Sequence, residues 1–232
     1  MLTGPNSQTS RLSRAILIAL LGAAVLTLSW PRLQAGFRYL PVNIAIDRYY
    51  ADRQIPSDRL TVLLRFAGEA IDYHDHYRYH DGLSLLHYLR GLDRSTPALE
   101  RRDAYRQAGV EAGEALKLAP SQPVTWLRLA TVRAVLRDDA EAIIEPWKMS
   151  IFTGRTHSTL LAPRVGIGLS QLQYMDQESS AMLRDQLLLA WELKPAELLR
   201  ILQQYDRGLQ KTRALIGGTD PAALEELEAR FE

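Results

Sequence analysis

An apolar run near the start of the chain constrains the fold more than any other feature. Its seventeen residues, 15–31, carry no charge, and Arg14 and Arg32 bracket them. Each large aliphatic residue in the run favours bilayer insertion by roughly 0.5 kcal/mol, and no buried charge opposes it. As a helix the run spans about 25 Å of a hydrocarbon core about 30 Å thick, so both arginines reach the interfaces. We predict a transmembrane anchor at 15–31, which Pro31 ends after the interfacial Trp30.

A secretory signal peptide is the competing interpretation of this run. Arg11 and Arg14 precede an apolar stretch, as in signal peptides. The possible cleavage sites are poor, because Leu33 is bulky where a small residue is required and Pro31 would lie at the other cut. We therefore favour an uncleaved anchor.

The basic residues on the two sides of the run leave its orientation nearly balanced. Arg11 and Arg14 lie on one side, and Arg32 and Arg38 on the other. The N-terminal tail is short and holds no acidic residue. We predict that residues 1–14 stay in the cytoplasm and that about 200 residues are exported to the periplasm. A cytoplasm-facing domain is the alternative.

The composition excludes several classes of binding partner and of chemical site. The chain has 28 basic and 27 acidic residues, a formal net charge of +1, so no global field attracts nucleic acid. It has no cysteine, which excludes disulfides, thiolate metal sites and cysteine nucleophiles. The excess of arginine over lysine and the abundance of alanine and leucine are typical of a GC-rich bacterial genome. We predict no cofactor and no nucleic-acid partner, and a location in the bacterial inner membrane.

Beyond the anchor, apolar residues recur at helical spacing, and no stretch has the pattern of strands bounded by turns. The predicted fold class is all-α, with a single transmembrane helix followed by stacked helical hairpins. Helices are expected from Ser57, then at 82–92, 96–118, 124–137, around Trp147, and at 164–174, 177–193 and 195–216. The domain boundaries are a tail at 1–14, the anchor at 15–31, a juxtamembrane segment at 32–56, a helical domain at 57–218 and an acidic helix at 219–232.

One part of the helical domain has a repeat-like order of small and large residues. Small residues at helical spacing are followed by a proline and then by an aromatic, a large and a small residue: Ala108, Ala112, Ala115, Pro120, Trp126, Leu129 and Ala130. This order resembles a tetratricopeptide repeat, in which one helix presents a groove and the next inserts an aromatic ring. The likeness ends at Arg133, where an aromatic is usual, and at Pro146. It implies a degenerate array that binds protein partners.

The layout as a whole shows a second likeness. The anchor is followed by a set of short segments: Leu116-Lys117-Leu118-Ala119-Pro120, Trp126-Leu127-Arg128-Leu129-Ala130, Ser150-Ile151, Thr153-Gly154, and Pro163-Arg164 with Gly166 and Leu169. This layout resembles the VpsP-like exopolysaccharide-biosynthesis family of small bacterial membrane proteins. The resemblance implies a role in making or exporting a surface polysaccharide, with partners in that machinery, and it carries over no catalytic residue.

A histidine-rich segment supports the only chemical hypothesis. Four of the five histidines lie between His74 and His87. If one helix continued through the segment, Asp72, His76 and His80 would share a face, with a spacing that can bind a divalent metal and activate a water. That arrangement would make the chain a metal-dependent hydrolase or lyase. A polar hairpin turn is the simpler interpretation of the segment, and pH-sensing histidines are a third.

Other motifs have structural explanations. Gly166-Ile167-Gly168 follows no strand and indicates close helix packing. The charged run Arg101-Arg102-Asp103 is typical of a solvated helix face. Taken together, these features predict a membrane-anchored, periplasm-facing scaffold without catalysis.

Overall fold

The computed structural model describes residues 6–51, 53–205 and 207–231, with side chains from residue 14 onward. The described residues form helices and no strand, so the predicted all-α fold class is confirmed. The helices are α1 Asn6–Tyr50, α2 Ser57–Tyr73, α3 Tyr77–Leu92, α4 Ala98–Leu118, α5 Pro123–Leu136, α6 Ala140–Thr153, α7 Ser158–Gln171, α8 Gln177–Leu193, α9 Pro195–Gln204, α10 Gly208–Ile216 and α11 Pro221–Phe231. A short 3-10 helix, Leu172–Tyr174, follows α7. The chain divides into two compact units, Met1–Tyr79 and His80–Glu232.

Helix α1 is long and apolar enough to cross a membrane. From Ile16 to Leu33 its large apolar side chains are more than half exposed. The prediction that Pro31 ends this helix is wrong, because α1 continues through Pro31 and Pro41 to Tyr50. A proline lacks the N–H donor and its ring crowds the carbonyl four residues earlier, yet α1 stays helical on both sides of Pro31 and Pro41.

The second half of α1 packs against α2 within the unit Met1–Tyr79. Ala35, Tyr39 and Val42 are buried on one face of α1, and they meet a stripe of α2 made of Leu60, Leu63, Ala67 and Ala70. An ion pair between Arg38 and Glu69, with Nη1 and Oε2 2.9 Å apart, links the two helices on the exposed side. The loop between them contains Ile55 and Pro56, and the helices run antiparallel.

In the unit His80–Glu232, consecutive helices pack as neighbours and also reach the helix after next. Helix α5 packs against α4, α6 and α7, and α7 packs against α5, α6, α8 and α9. The core is aliphatic around one indole, and its fully buried members include Trp147, Leu161, Leu169, Leu183, Leu187 and Leu198. Stacked hairpins bury a continuous core in this way, because a single hairpin cannot cover its own apolar face.

Several helix boundaries differ from those expected. Helix α3 begins at Tyr77 and α7 at Ser158, each about one and a half turns earlier than predicted. The helix predicted at 195–216 is two helices, because the backbone turns after Gln204 and Arg207 has a left-handed conformation with φ 54°. The predicted end of this stretch at residue 216 is confirmed, since α10 ends at Ile216.

Candidate functional site

Most residues of the repeat-like motif lie where α4 meets α5, but Ala130 belongs to the larger aliphatic core. Ala108, Ala112 and Ala115 are fully buried on α4. On α5, Leu129 joins Ala112 and Leu116 in a small cluster against which Trp126 packs. The Trp126 indole also donates a hydrogen bond from Nε1 to the carbonyl of Pro120, at 2.7 Å. The motif therefore forms a contact between a small-residue face and the following helix.

At the other end of this helix pair, the start of α4 and the end of α5 form a groove of about 570 Å³, which we call the α4–α5 groove. Three arginines line it, with a tyrosine and two aliphatic residues: Arg101, Arg102, Arg137, Tyr105, Val135 and Leu136. No Asp or Glu is among the described residues that line it. Val135 is 47% exposed, so the groove offers apolar surface beside concentrated positive charge.

Local structure fixes the two ends of the α4–α5 groove. Arg137 closes α5 in a left-handed conformation, with φ 62° and ψ 42°, and its backbone N–H donates to the carbonyl of Ala134. Arginine pays a steric cost in this conformation, which glycine would avoid. Tyr105 lies against Gly91 of α3, where a Cβ atom would approach the Tyr105 ring to 2.6 Å.

The electrostatics of the groove follow from the same geometry. Burial raises the pKa of Tyr105, and the charge of Arg101 partly opposes that rise. The phenol is therefore a neutral hydrogen-bond donor at physiological pH. Its neighbours are arginines, which bind carboxylates through paired hydrogen bonds. The groove is suited to an acidic group attached to an apolar one.

The arginines of the groove were missed by sequence reasoning. Arg101 and Arg102 were expected to lie on a solvated helix face, and Arg102 is indeed exposed. Charge runs on helices are usually solvated, and nothing in the sequence indicates that Arg137, on another helix, lies beside them. Only the pairing of α4 with α5 brings the three together.

The metal hypothesis required one helix through the histidine-rich segment, and this premise is wrong. Helix α2 ends at Tyr73, and His74 has an extended backbone with φ −156°. The break separates Asp72, at the end of α2, from His76 in the connection and His80 on α3, so the three do not share a helix face. No group of three or more His, Cys, Asp or Glu side chains placed to hold a metal occurs among the described residues.

The two histidines of α3 in the unit His80–Glu232 face α4. The Nδ1 atom of His80 lies 2.6 Å from Oε2 of Glu111. Burial lowers the pKa of His87, with Glu111 opposing the shift and Arg90 adding to it. Ser84 is fully buried between them and donates to the carbonyl of Ala108 at 2.8 Å. These side chains fasten α3 to α4.

A buried arginine on α5 forms a second polar link to α3. Arg128 donates from Nη1 to the backbone carbonyl and the carboxylate of Asp81, at 2.9 and 2.8 Å. Thr125 donates to the same carboxylate at 2.6 Å. The Nη2 atom of Arg128 is buried and finds no hydrogen-bond partner among the described residues.

Two of the segments that carry the second likeness, at Ser150 and Gly154, contact another buried arginine. Arg164 is fully buried and donates to the hydroxyl of Ser150 at 2.8 Å and to the carbonyl of Gly154 at 3.0 Å. The side-chain oxygen of Gln186 accepts a further bond at 3.1 Å. These contacts tie the α6–α7 turn to α8, which gives the motif residues Ser150, Gly154 and Arg164 a structural role.

The two glycines of Gly166-Ile167-Gly168 allow close packing, as expected. A Cβ atom on Gly166 would meet the ring of Tyr205, and one on Gly168 would meet Leu183.

No protein-family model matches the sequence, and no curated protein shows significant similarity to it.

Proposed function

We propose that this protein is a membrane-anchored scaffold whose α4–α5 groove binds an acidic segment of a protein partner. The observation that carries the proposal is the lining of the groove, in which Arg101, Arg102 and Arg137 surround Tyr105 and Val135. The partner is expected to present Asp or Glu side chains, or a C-terminal carboxylate, next to an apolar side chain.

The chemistry of the lining supports this choice of partner. A planar guanidinium can donate two parallel hydrogen bonds to a carboxylate, which fixes orientation as well as attracting charge. Arg102 and Arg137 are exposed, so solvent weakens each single contact and several must act together. The aliphatic surface of Val135 and Leu136 adds a hydrophobic contribution.

Stacked hairpins also favour a binding role. Arrays of this kind present extended surfaces on which short segments of other proteins dock. The likeness of the α4–α5 contact to a tetratricopeptide repeat is consistent with that use.

The proposal also covers where the protein is located and the biosynthetic pathway in which it acts. The protein is held in the bacterial inner membrane by residues 15–31, with its helical array in the periplasm, and it acts with proteins of exopolysaccharide biosynthesis or export. The exposed apolar surface of α1 supports the anchor. The process rests on the layout of short segments around Pro120, Ser150 and Arg164.

Crosslinking from the groove tests the scaffold. A photoreactive amino acid replaces Val135 in the full chain expressed in its own cells, and crosslinked products are identified by mass spectrometry. The variant R102E/R137E reverses two groove charges, and we expect it to lose the partner band. The control R106E/R200E reverses two exposed charges that do not line the groove, and it should keep the band. Loss of the band in both variants, or in neither, would contradict the groove assignment.

Surface polysaccharide provides the functional readout. Cells that lack the protein should lose it, and the R106E/R200E chain should restore it while R102E/R137E does not. Normal polysaccharide in the deletion strain would refute the proposed role in exopolysaccharide biosynthesis or export. It would not affect the crosslinking test of the α4–α5 groove.

A reporter that is active only in the periplasm, fused after Glu232, tests the orientation. Activity supports the periplasmic array. If the periplasmic reporter is inactive while a cytoplasmic reporter fused at the same position is active, the result would support the cytoplasm-facing adaptor instead.

A further inference from the structure

A second concave site lies in the other unit, on α1 just beyond the apolar run. A cavity of about 340 Å³ opens between this part of α1 and the connection that leads into α3. Its polar lining comprises Arg32, Asn43, His74, His76, Arg78 and Tyr79. All of these residues belong to the unit Met1–Tyr79.

The position of this cavity along α1 indicates how far it lies from the membrane surface. Arg32 directly follows the apolar run and marks one end of the cavity, and Asn43 lies three turns further. At 1.5 Å per residue the two are about 16 Å apart along the helix. The headgroup layer on each side of the hydrocarbon core is about 5–8 Å thick, so the end of the cavity at Arg32 lies in this layer.

Apolar surface continues past Arg32 on the open side of α1. Leu33, Phe37, Leu40 and Ile44 recur at helical spacing and are 44–67% exposed. Leu33, Phe37 and Leu40 lie two residues out of step with the buried Ala35, Tyr39 and Val42, on the face of α1 away from α2. Ile44 borders a pocket that α2 also lines. This stripe is continuous with the membrane-spanning surface, and Leu40 also lines the cavity.

The charge inside the cavity is positive. Arg32 and Arg78 are its basic side chains, and no Asp or Glu is among the described residues of the lining. Arg78 donates from Nη2 to the amide oxygen of Asn43 at 3.3 Å. Burial lowers the pKa of His76. The nearby His74 and Arg78 lower the pKa of His76 further, and Asp75 acts in the opposite direction.

Aromatic contacts hold the cavity wall in place. The Tyr39 and Tyr79 rings lie 4.7 Å apart, centroid to centroid, and the Tyr39 hydroxyl donates to the carbonyl of Arg78 at 2.9 Å. The His76 ring lies 5.6 Å from that of Tyr79. The wall that carries Arg78 is therefore fixed to α1 before any ligand arrives.

We propose that this cavity binds the phosphate headgroup of an anionic phospholipid, with Arg32 and Arg78 contacting the headgroup and the acyl chains passing along α1 towards the apolar run 15–31. A phosphodiester offers several acceptor oxygens to the two guanidinium groups. The lipid would fix the depth and rotation of α1 in the bilayer. The proposal depends on the anchor but not on its orientation or on the partner of the α4–α5 groove.

Native mass spectrometry of the full chain in detergent tests the site, with phosphatidylglycerol and phosphatidylcholine added in equal amounts. We expect the protein to retain phosphatidylglycerol preferentially. The R32Q variant should reduce that retention about fivefold, as expected for one basic residue near an anionic surface, and R32Q/R78Q about 25-fold. The charge-preserving R32K should retain more lipid than R32Q.

The control R59Q/R65Q removes two exposed charges of α2 that do not line this cavity and should retain lipid like the wild type. Because Arg32 is exposed, R32Q should fold normally, which circular dichroism checks. Equal retention of the two lipids, or equal loss in R32Q and R59Q/R65Q, would overturn the proposal. So would Arg32-dependent binding of inorganic phosphate without retention of phosphatidylglycerol, since the ligand would then be free phosphate.

Discussion

Arg164 of α7 donates from Nε to the hydroxyl of Ser150 on α6, at 2.8 Å, inside the core of the unit His80–Glu232. Its other bonds go to the carbonyls of Ser150, Gly154 and Arg155 and to the side chain of Gln186. Burial lowers the pKa of Arg164 to about 10, which still leaves it charged at neutral pH. The α6–α7 turn is thus built around a cation held by neutral oxygens.

Replacing this arginine should destabilise the array strongly. Arg164→Met leaves several buried acceptors without a donor, and each costs about 1–3 kcal/mol, so we expect a loss of at least about 3 kcal/mol. Thermal unfolding of the full chain in detergent measures it. The control Arg155→Met removes an exposed arginine that pairs with Asp185, and it should change stability little. Equal effects of the two substitutions would contradict the role given to the buried network.

The two tryptophans with hydrogen-bonded indoles should respond differently to phenylalanine. Trp147 is fully buried and donates to the carbonyl of Arg164 at 2.9 Å, so Trp147→Phe removes a buried hydrogen bond and leaves part of the indole volume unfilled, at a cost of about 1–3 kcal/mol. Trp126→Phe also removes a hydrogen bond, but water can replace it at the exposed Pro120 carbonyl. Chemical denaturation should show the larger loss for Trp147→Phe, and the reverse order would refute this explanation.

Glycine substitutions separate close packing from simple helix propensity. On Gly168 of α7 a Cβ atom would collide with Leu183, so we expect Gly168→Ala to destabilise by about 1–3 kcal/mol. Gly113 lies inside α4 with open space where its Cβ would be. Gly113→Ala should therefore stabilise by about 0.5–1 kcal/mol. Melting temperatures of the two variants should move in opposite directions.

Much of the fold could be predicted from the sequence, because apolar spacing records which faces are buried. The small-residue face of α4 and its contact with Trp126 follow from that spacing. The course of α1 could not be predicted in this way. Pro31 is a local signal for a helix end, and the neighbouring residues continued the helix despite it.

The candidate sites could not be predicted from the sequence, because their residues are far apart along the chain. Arg102 and Arg137 are far apart in sequence, and only the packing of α4 on α5 makes them neighbours. Arg32 and Arg78 become neighbours in the same way, through the packing of α1 with α2 and the start of α3. Arg164 was visible in the sequence only as part of a motif, because a buried arginine without a carboxylate partner is uncommon. Local pattern therefore predicts the helices, and tertiary contacts create the sites.

His87 should make the stability of the array depend on pH. Its pKa is lowered from 6.5, chiefly by burial, so the unfolded chain binds a proton more readily than the folded chain. Stability from this residue is present above the unfolded pKa of about 6.5 and falls as acidification protonates the unfolded chain, until the folded state also binds the proton. The wild type should lose stability between about pH 7.5 and about pH 5.5, and His87→Gln should lose less over that interval. Identical losses in both chains would rule out His87 as the source.

Asp81 and Arg128 form a charge pair, and removing both charges should cost less stability than removing one. The Arg128 side chain is 5% exposed and that of Asp81 31%, and the Nη2 atom of Arg128 already lacks a partner among the described residues. Asp81→Asn leaves the guanidinium buried without its counter-charge, which costs about 3–5 kcal/mol for a fully buried pair. Since Asp81 is partly solvated, we expect the lower part of that range. Adding Arg128→Met removes the stranded charge, so the double variant should be more stable than Asp81→Asn alone. A double-mutant cycle on the full chain measures the difference, and a double variant less stable than Asp81→Asn would show that Arg128 stabilises α3 and α5 through its other contacts.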